Sequence, residues 1–245
     1  KGASRMNSES VDLLCELTRQ RPVTADRAAV NRASSVLRAF LEKRGVACRT
    51  ESIDGRDVLY AAANSDAVPE TLLNAHMDVV PASPEQFEPR IENRLLYGRG
   101  AVDCLGNCVC IAKVLCDLNG KASVGAVFSA DEEIGGATTG EMANRGYGAT
   151  RLVALLDSHN DYDIVARQKG ALGVRLIARG PGGHGAYPWH CDNPIDKLID
   201  GYLRFRETWR NPASESEWGD TMSACMMRAG TANNQIPGEA SLCLD

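Results

Sequence analysis

The sequence is short of aromatic rings, of histidine and of concentrated positive charge. Aromatics make up 5% of its 245 residues, histidines number four, and 27 Lys plus Arg face 32 Asp plus Glu, for a formal net charge of −5. Proteins that grip a nucleic-acid backbone concentrate cations along a groove and often stack bases on aromatic rings. This chain has neither feature, so nucleic acid is not expected as a partner. No apolar run approaches the roughly 20 residues that a membrane-spanning helix needs, so no membrane is expected either. The nine cysteines are odd in number and form no Cys-x-x-Cys pair. That argues against a disulfide framework and for free, mostly buried thiols in a reducing compartment. The opening KGASRMNSES is polar and shows no secretory leader, which fits the cytoplasm, as would a chain whose leader had been trimmed.

What is present suffices for a core. Hydrophobic residues reach 44% and charged residues 24%, ordinary values for a globular α/β chain. Helical spacing of Val11, Leu14 and Leu17 predicts a helix over 8–20, and a longer pattern over 25–44 predicts a second that stops at Gly45. Short strands follow at 46–50 and 58–62, joined by the turn signal Asp54-Gly55. A strand at 71–75 ends at His76, and a polar loop with three prolines is expected over 81–98. A helix at 104–118, a buried strand at 122–129, a helix at 138–145 and a second buried strand at 151–156 complete an alternation. That order predicts an α/β sandwich with a mostly parallel sheet, whose ligands gather at the carboxyl ends of the strands. Near residue 170 the texture changes. A strand at 171–178, a Gly/Pro-rich loop, a helix at 192–209 and strands at 221–228 and 239–244 predict a small α+β domain. The expected division is 1–170 and 171–245.

Six polar groups fall at the strand ends or in the turns beside them: His76, Asp78, Asp103, Glu132, Glu133 and Asp157. Each has an ordinary reading. His76 is a satisfied ring beside a core strand, Asp78 and Asp157 start turns, Asp103 caps a helix, and Glu132-Glu133 is a solvated pair. Together they read differently. Two adjacent glutamates at the dry end of a strand conflict unless a cation or a raised pKa relieves them. Imidazole and carboxylates in one place suit zinc, and a ligating histidine commonly passes its other N–H to a nearby acid such as Asp78.

The stretches NAHMDVVP, LYGRGAVDCLGN, SADEEIGG, LLDSHND, ARGPGGHGAYPW and GTANNQIPGEA, in this order, resemble the M20 metallopeptidases, the aminoacylase, carboxypeptidase and succinyl-diaminopimelate desuccinylase group. The resemblance runs along nearly the whole chain. It implies a zinc-exopeptidase-like three-layer α/β sandwich with part of an inserted lid and dimerisation domain. It implies two zinc ions, with cobalt or manganese as substitutes, and hydrolysis of an amide bond in a small peptide or N-acyl amino acid by metal-activated water. By the same resemblance His76 and Asp157 are terminal ligands of one zinc, and Asp103 bridges the two from a cis peptide to Cys104. Glu133 binds the second zinc, Glu132 is the general base, and Asp78 orients His76. His184 stabilises the oxyanion, Asn234 contacts substrate, and the lid forms a homodimer.

Two departures stand out. Cys104-Leu105-Gly106 replaces the Met-Lys-Gly common in the family. The family pattern also continues past the point where this chain ends, with a last histidine for the second zinc, for which His159 and His190 are poor substitutes. These 245 residues are therefore expected to be part of a longer chain, or else to hold one zinc well and the other weakly. Two rival readings are a relative that has lost its catalysis and a nucleotide-binding protein. Gly98-Arg99-Gly100 and Gly135-Gly136 lack the strand–GxGxxG–helix setting that the latter needs.

Overall fold

The computed structural model describes residues 8–157, 164–165, 167–214 and 216–245, in two compact units, Lys1–Asp163 and Ile164–Asp245. His159 and the end of LLDSHND lie outside the described residues.

In the first unit, α1 (Ser8–Arg19) and α2 (Arg27–Glu42) lead into the hairpin β1 (Ala47–Ile53) and β2 (Arg56–Ala62). Asp26 starts α2 by accepting the amide of Ala29 at 3.0 Å, satisfying a donor that the first helical turn leaves free. Asp54 and Gly55 both take positive φ, 50° and 72°, the geometry of a two-residue turn whose twist matches that of the strands. The chain continues through β3 (Thr71–His76), β4 (Arg90–Glu92), β5 (Leu95–Tyr97), α3 (Leu105–Leu118), β6 (Val124–Ser129), α4 (Ala137–Asn144) and β7 (Leu152–Leu155).

The main sheet has the order β1-β2-β6-β3-β7. β3 pairs in parallel with β6 and β7, whereas β2 is antiparallel to β1 and β6. Four of the five strands therefore share one direction, with β2 opposed. Side chains alternate between two faces as the pleat requires. Leu59, Ala61, Ala75, Ala126 and Phe128 pack with Leu17, Leu37, Ile111 and Leu115 of α1–α3. Val58, Leu72 and Val127 face the other way and pack with Met142 of α4. Helices on both sides give the three layers.

The structure departs from the sequence reading at three places. The segment 81–98 is not all loop: a 3-10 turn at Pro84–Phe87 precedes the β4–β5 hairpin, closed by Asn93 and Arg94 at φ 50° and 67°. The run at 151–156 is an edge strand rather than a buried one, with Leu152 and Leu155 55% and 66% exposed, because among the described residues only β3 pairs with it. Of the nine free cysteines only Cys104 and Cys108 are fully buried, while Cys110 and Cys225 are exposed.

The second unit contains β8 (Val174–Arg179), β9 (Gly183–His184), α5 (Pro194–Glu207), β10 (Ala224–Ala229), β11 (Gln235–Ile236) and β12 (Glu239–Leu244). The antiparallel sheet β10-β12-β8 packs Ala240, Leu242 and Leu244 against Leu198 of α5. Asn193 caps that helix by accepting the amide of Ile195, and Pro194 fills its first turn, where no amide is required. Leu172 precedes β8 and is exposed.

Candidate metal centre

Register brings the polar residues to one edge. Within the parallel strands β6, β3 and β7, His76 lies opposite Ser129 and Asn74 opposite Leu155. Asp157, two residues beyond Leu155, therefore comes level with His76, two residues beyond Asn74. The turn after β6 brings up Glu132 and Glu133, and the loop before α3 brings up Asp103. Ligands of α/β sheets collect at this carboxyl edge.

The imidazole of His76 is 1% exposed and sits at the centre of the group. Its Nδ1 lies 2.8 Å from the backbone carbonyl of Asp78 and 3.4 Å from that residue's carboxylate. A carbonyl only accepts, so Nδ1 donates to it, and Nε2 faces the cluster. From Nε2 the carboxylate oxygens of Asp103, Asp157 and Glu132 lie at 2.9, 3.6 and 3.8 Å. Two donors held about 2.0–2.2 Å from one zinc ion stand about 3–3.5 Å apart, so the His76, Asp103 and Asp157 spacings fit a shared cation. The thiol of Cys104 joins them: donor atoms of His76, Asp103, Cys104 and Asp157 all lie within 4.8 Å of one another. That thiol also donates to the carbonyl of Leu156 at 3.0 Å. The Asp103–Cys104 peptide is cis. Asp103 does not cap α3; Cys104 holds the cap position without a side-chain bond, and the Asp103 carboxylate turns to His76.

The carboxylate of Asp78 faces a different set of groups. It is fully buried and accepts from the hydroxyl of Thr24 at 2.8 Å and from the amides of Glu132 and Glu133 at 3.1 and 3.3 Å. Sequence reading sends this carboxylate to the histidine ring; its Oδ1 stands 3.4 Å from Nδ1, and the Asp78 carbonyl lies nearer at 2.8 Å.

Electrostatics point the same way as geometry. Four carboxylates, those of Asp78, Asp103, Glu132 and Asp157, come within 4 Å of the imidazole nitrogens. Burial alone favours the neutral ring of His76, but the Asp157 and Asp78 carboxylates outweigh it and hold its pKa up to about 12. Burial first, and the neighbouring acids after it, raise the carboxyls of Glu132 and Glu133. Burial also works to raise Asp78, yet its bonds from His76 and Thr24 keep it below the ordinary value. Such a cluster takes up positive charge, as a proton when metal-free or as a metal ion. Imidazole with carboxylates and one thiol is a donor set for a borderline cation such as zinc.

In the second unit, His184 lies opposite Gln235 in the β9–β11 pair, and the amide of Gly185 donates to the carbonyl of Asn234 at 2.8 Å. His184 and Asn234 are thus neighbours, and both are exposed. Sequence reading missed Thr24, Arg56 and Cys104. Thr24 and Arg56 carry no motif. The position of Cys104 beside Asp103 was the one available signal.

A profile of Peptidase family M20/M25/M40 matches residues 72–231. A probable carboxypeptidase of Aspergillus terreus is 29% identical over 76% of this chain and 46% of its own length. A succinyl-diaminopimelate desuccinylase of Stenotrophomonas maltophilia is 29% identical over 95% of this chain and 66% of its own length. The chain thus spans between about half and two thirds of these relatives. Among solved structures, an M20 family metallo-carboxypeptidase of Sulfolobus solfataricus superposes with a TM-score of 0.69 at 20% identity, covering 96% of this chain and 70% of that one. A dinuclear metal-binding M20 peptidase of Bacillus subtilis gives 0.58 at 15% identity, covering 97% and 63%. With a family match over more than half of its residues, the chain belongs to the M20/M25/M40 peptidase family.

Proposed function

We propose that the protein is a zinc-dependent hydrolase of amide bonds in small peptides or N-acyl amino acids, acting as an exopeptidase or deacylase. The observation that carries this reading is the acid-rich cluster around His76 at the carboxyl edge of the sheet. Of its residues, His76, Asp157 and Asp103 would hold one zinc, and Asp103 with Glu133 would hold a second, with cobalt or manganese as substitutes. When bound, zinc would lower the pKa of water and polarise the scissile carbonyl.

The chain's own residues do the rest. Glu132 takes a proton from the attacking water and returns it to the leaving amine; a carboxyl raised by burial and by its neighbours is suited to that exchange near neutral pH. Asp78 fixes the His76 ring by accepting from Nδ1, which leaves Nε2 free as a ligand. His184 opposes the negative charge that develops on the carbonyl oxygen, and Asn234 contacts substrate. The second unit acts as the lid and as the surface of a homodimer.

No helix among the described residues is long and apolar enough to cross a membrane, and we assign the protein to the cytoplasm. The test is hydrolysis of N-succinyl-diaminopimelate and of short peptides with a free carboxyl terminus. We expect turnover of one class, lost with a chelator and regained with zinc. A zinc-loaded protein that cleaves neither class would contradict the proposal.

A further inference from the structure

The turn that carries Glu132 and Glu133 is tied down from below by residues far away in sequence. Asp131 begins a short 3-10 turn, Glu132–Ile134, and its own side chain does not cap it. The first two amides of that turn point instead at the buried carboxylate of Asp78, Glu132 to Oδ1 at 3.1 Å and Glu133 to Oδ2 at 3.3 Å. Oδ2 also accepts from the hydroxyl of Thr24 at 2.8 Å. Thr24 is itself clamped to the strand end: its amide donates to the Val79 carbonyl at 3.1 Å, beside the Val23–Val79 bridge.

Arg56 closes the arrangement. Asp54-Gly55 forms the tip of a hairpin, so the next residue would ordinarily reach solvent, yet Arg56 is 5% exposed. Its Nη1 donates to two carbonyls, Thr24 at 2.8 Å and Ala130 at 3.2 Å. Ala130 is the last residue before the glutamate turn. One guanidinium therefore holds both the segment that bears Thr24 and the segment that bears the two glutamates. Burying a cation costs several kcal/mol unless its hydrogen bonds are met, and those this one makes are spent on joining these two segments.

We propose that Thr24, acting through the Asp78 carboxylate, and Arg56, acting through the Thr24 and Ala130 carbonyls, are positioning residues that fix the Glu132–Glu133 turn against the strand end bearing His76. The inference rests on the roles given to those glutamates above. Glu132 and Glu133 are one bond apart in the chain and serve different ends, so a small rotation of the turn misaims both. Two amides and one hydroxyl converging on a single carboxylate prevent that rotation.

The test compares the wild type with Thr24→Val, which keeps the shape and removes the hydroxyl, and Thr24→Ser, which keeps the hydroxyl. In the metal-free wild type, hydrogen exchange should show the Glu132 and Glu133 amides protected by about 100-fold or more, although the turn lies at the surface. In Thr24→Val the two amides should exchange about 10-fold faster, with the amides of β6 unchanged, and Thr24→Ser should restore protection. Arg56→Met should loosen the same two amides. In steady-state assays Thr24→Val should lower kcat about 10-fold with KM within about 2-fold, and Thr24→Ser should recover it. Unprotected wild-type amides would overturn the proposal even if a variant fails to fold. Equal exchange in Thr24→Val would overturn it too, as would failure of Thr24→Ser to rescue. If the exchange pattern holds and the wild type hydrolyses nothing, the positioning role stands and the hydrolase reading falls.

Discussion

Zinc uptake should release a proton, and its affinity should depend steeply on pH. The perturbation is a change of pH during metal loading. With its pKa held up to about 12 against an ordinary 6.5, the His76 ring carries a proton on each nitrogen, Nδ1–H donating to the Asp78 carbonyl at 2.8 Å and Nε2–H facing Asp103 at 2.9 Å. Zinc needs the Nε2 lone pair, so that proton must leave. Between pH 6.5 and 9 almost every metal-free ring is protonated. Each unit of pH should therefore raise the apparent affinity about tenfold, or about 1.4 kcal/mol. The same shift acts on stability. A histidine raised in the folded state contributes stability that is fully present below 6.5 and is lost as pH rises towards 12. The raised carboxyls of Glu132 and Glu133 act in the same direction from their ordinary 4.5 upwards. Metal-free protein should thus melt at a lower temperature at pH 9 than at pH 6.5, and zinc should reverse the loss. Titration calorimetry in buffers of different ionisation enthalpy counts the protons, with about one released per zinc expected at pH 7.5. Zinc binding with no proton release and a flat affinity from pH 6.5 to 8.5 would refute the reasoning.

Two further predictions bear on single residues. Glu132→Gln should lower kcat by about 100-fold or more while zinc content, measured by atomic absorption, stays at the wild-type level. A parallel loss of zinc would make Glu132 a ligand rather than a base. Gly106→Ala would set a Cβ 2.2 Å from the carbonyl of Ala101, at the back of the loop that carries Asp103. Overpacking of this kind costs about 1–3 kcal/mol. Melting should drop accordingly, and zinc affinity should fall with it as Asp103 is displaced.

Much of the fold can be read in the sequence because its patterns are local. Helical spacing marks α2, and Asp54-Gly55 marks the first hairpin. VGAVFS, an unbroken apolar run, reads correctly as the buried strand β6. The run LVAL has the same texture, yet β7 is exposed; composition does not say whether a strand lies at the centre of a sheet or on its edge. The β4–β5 hairpin is hidden because Asn93-Arg94 carries none of the glycine that usually announces such a turn. At the site, the acids at strand tips are visible because strand ends are visible. Thr24 and Arg56 are not, since their bonds to Asp78 and Ala130 span 54 and 74 residues and leave no local pattern.

The central claim is that His76, Asp103 and Asp157 hold a cation in common. Anomalous scattering from zinc-loaded crystals at the zinc absorption edge tests it most directly. The account predicts a peak about 2.0–2.2 Å from Nε2 of His76 and from a carboxylate oxygen of each aspartate. No peak there in the zinc-loaded crystals would contradict it.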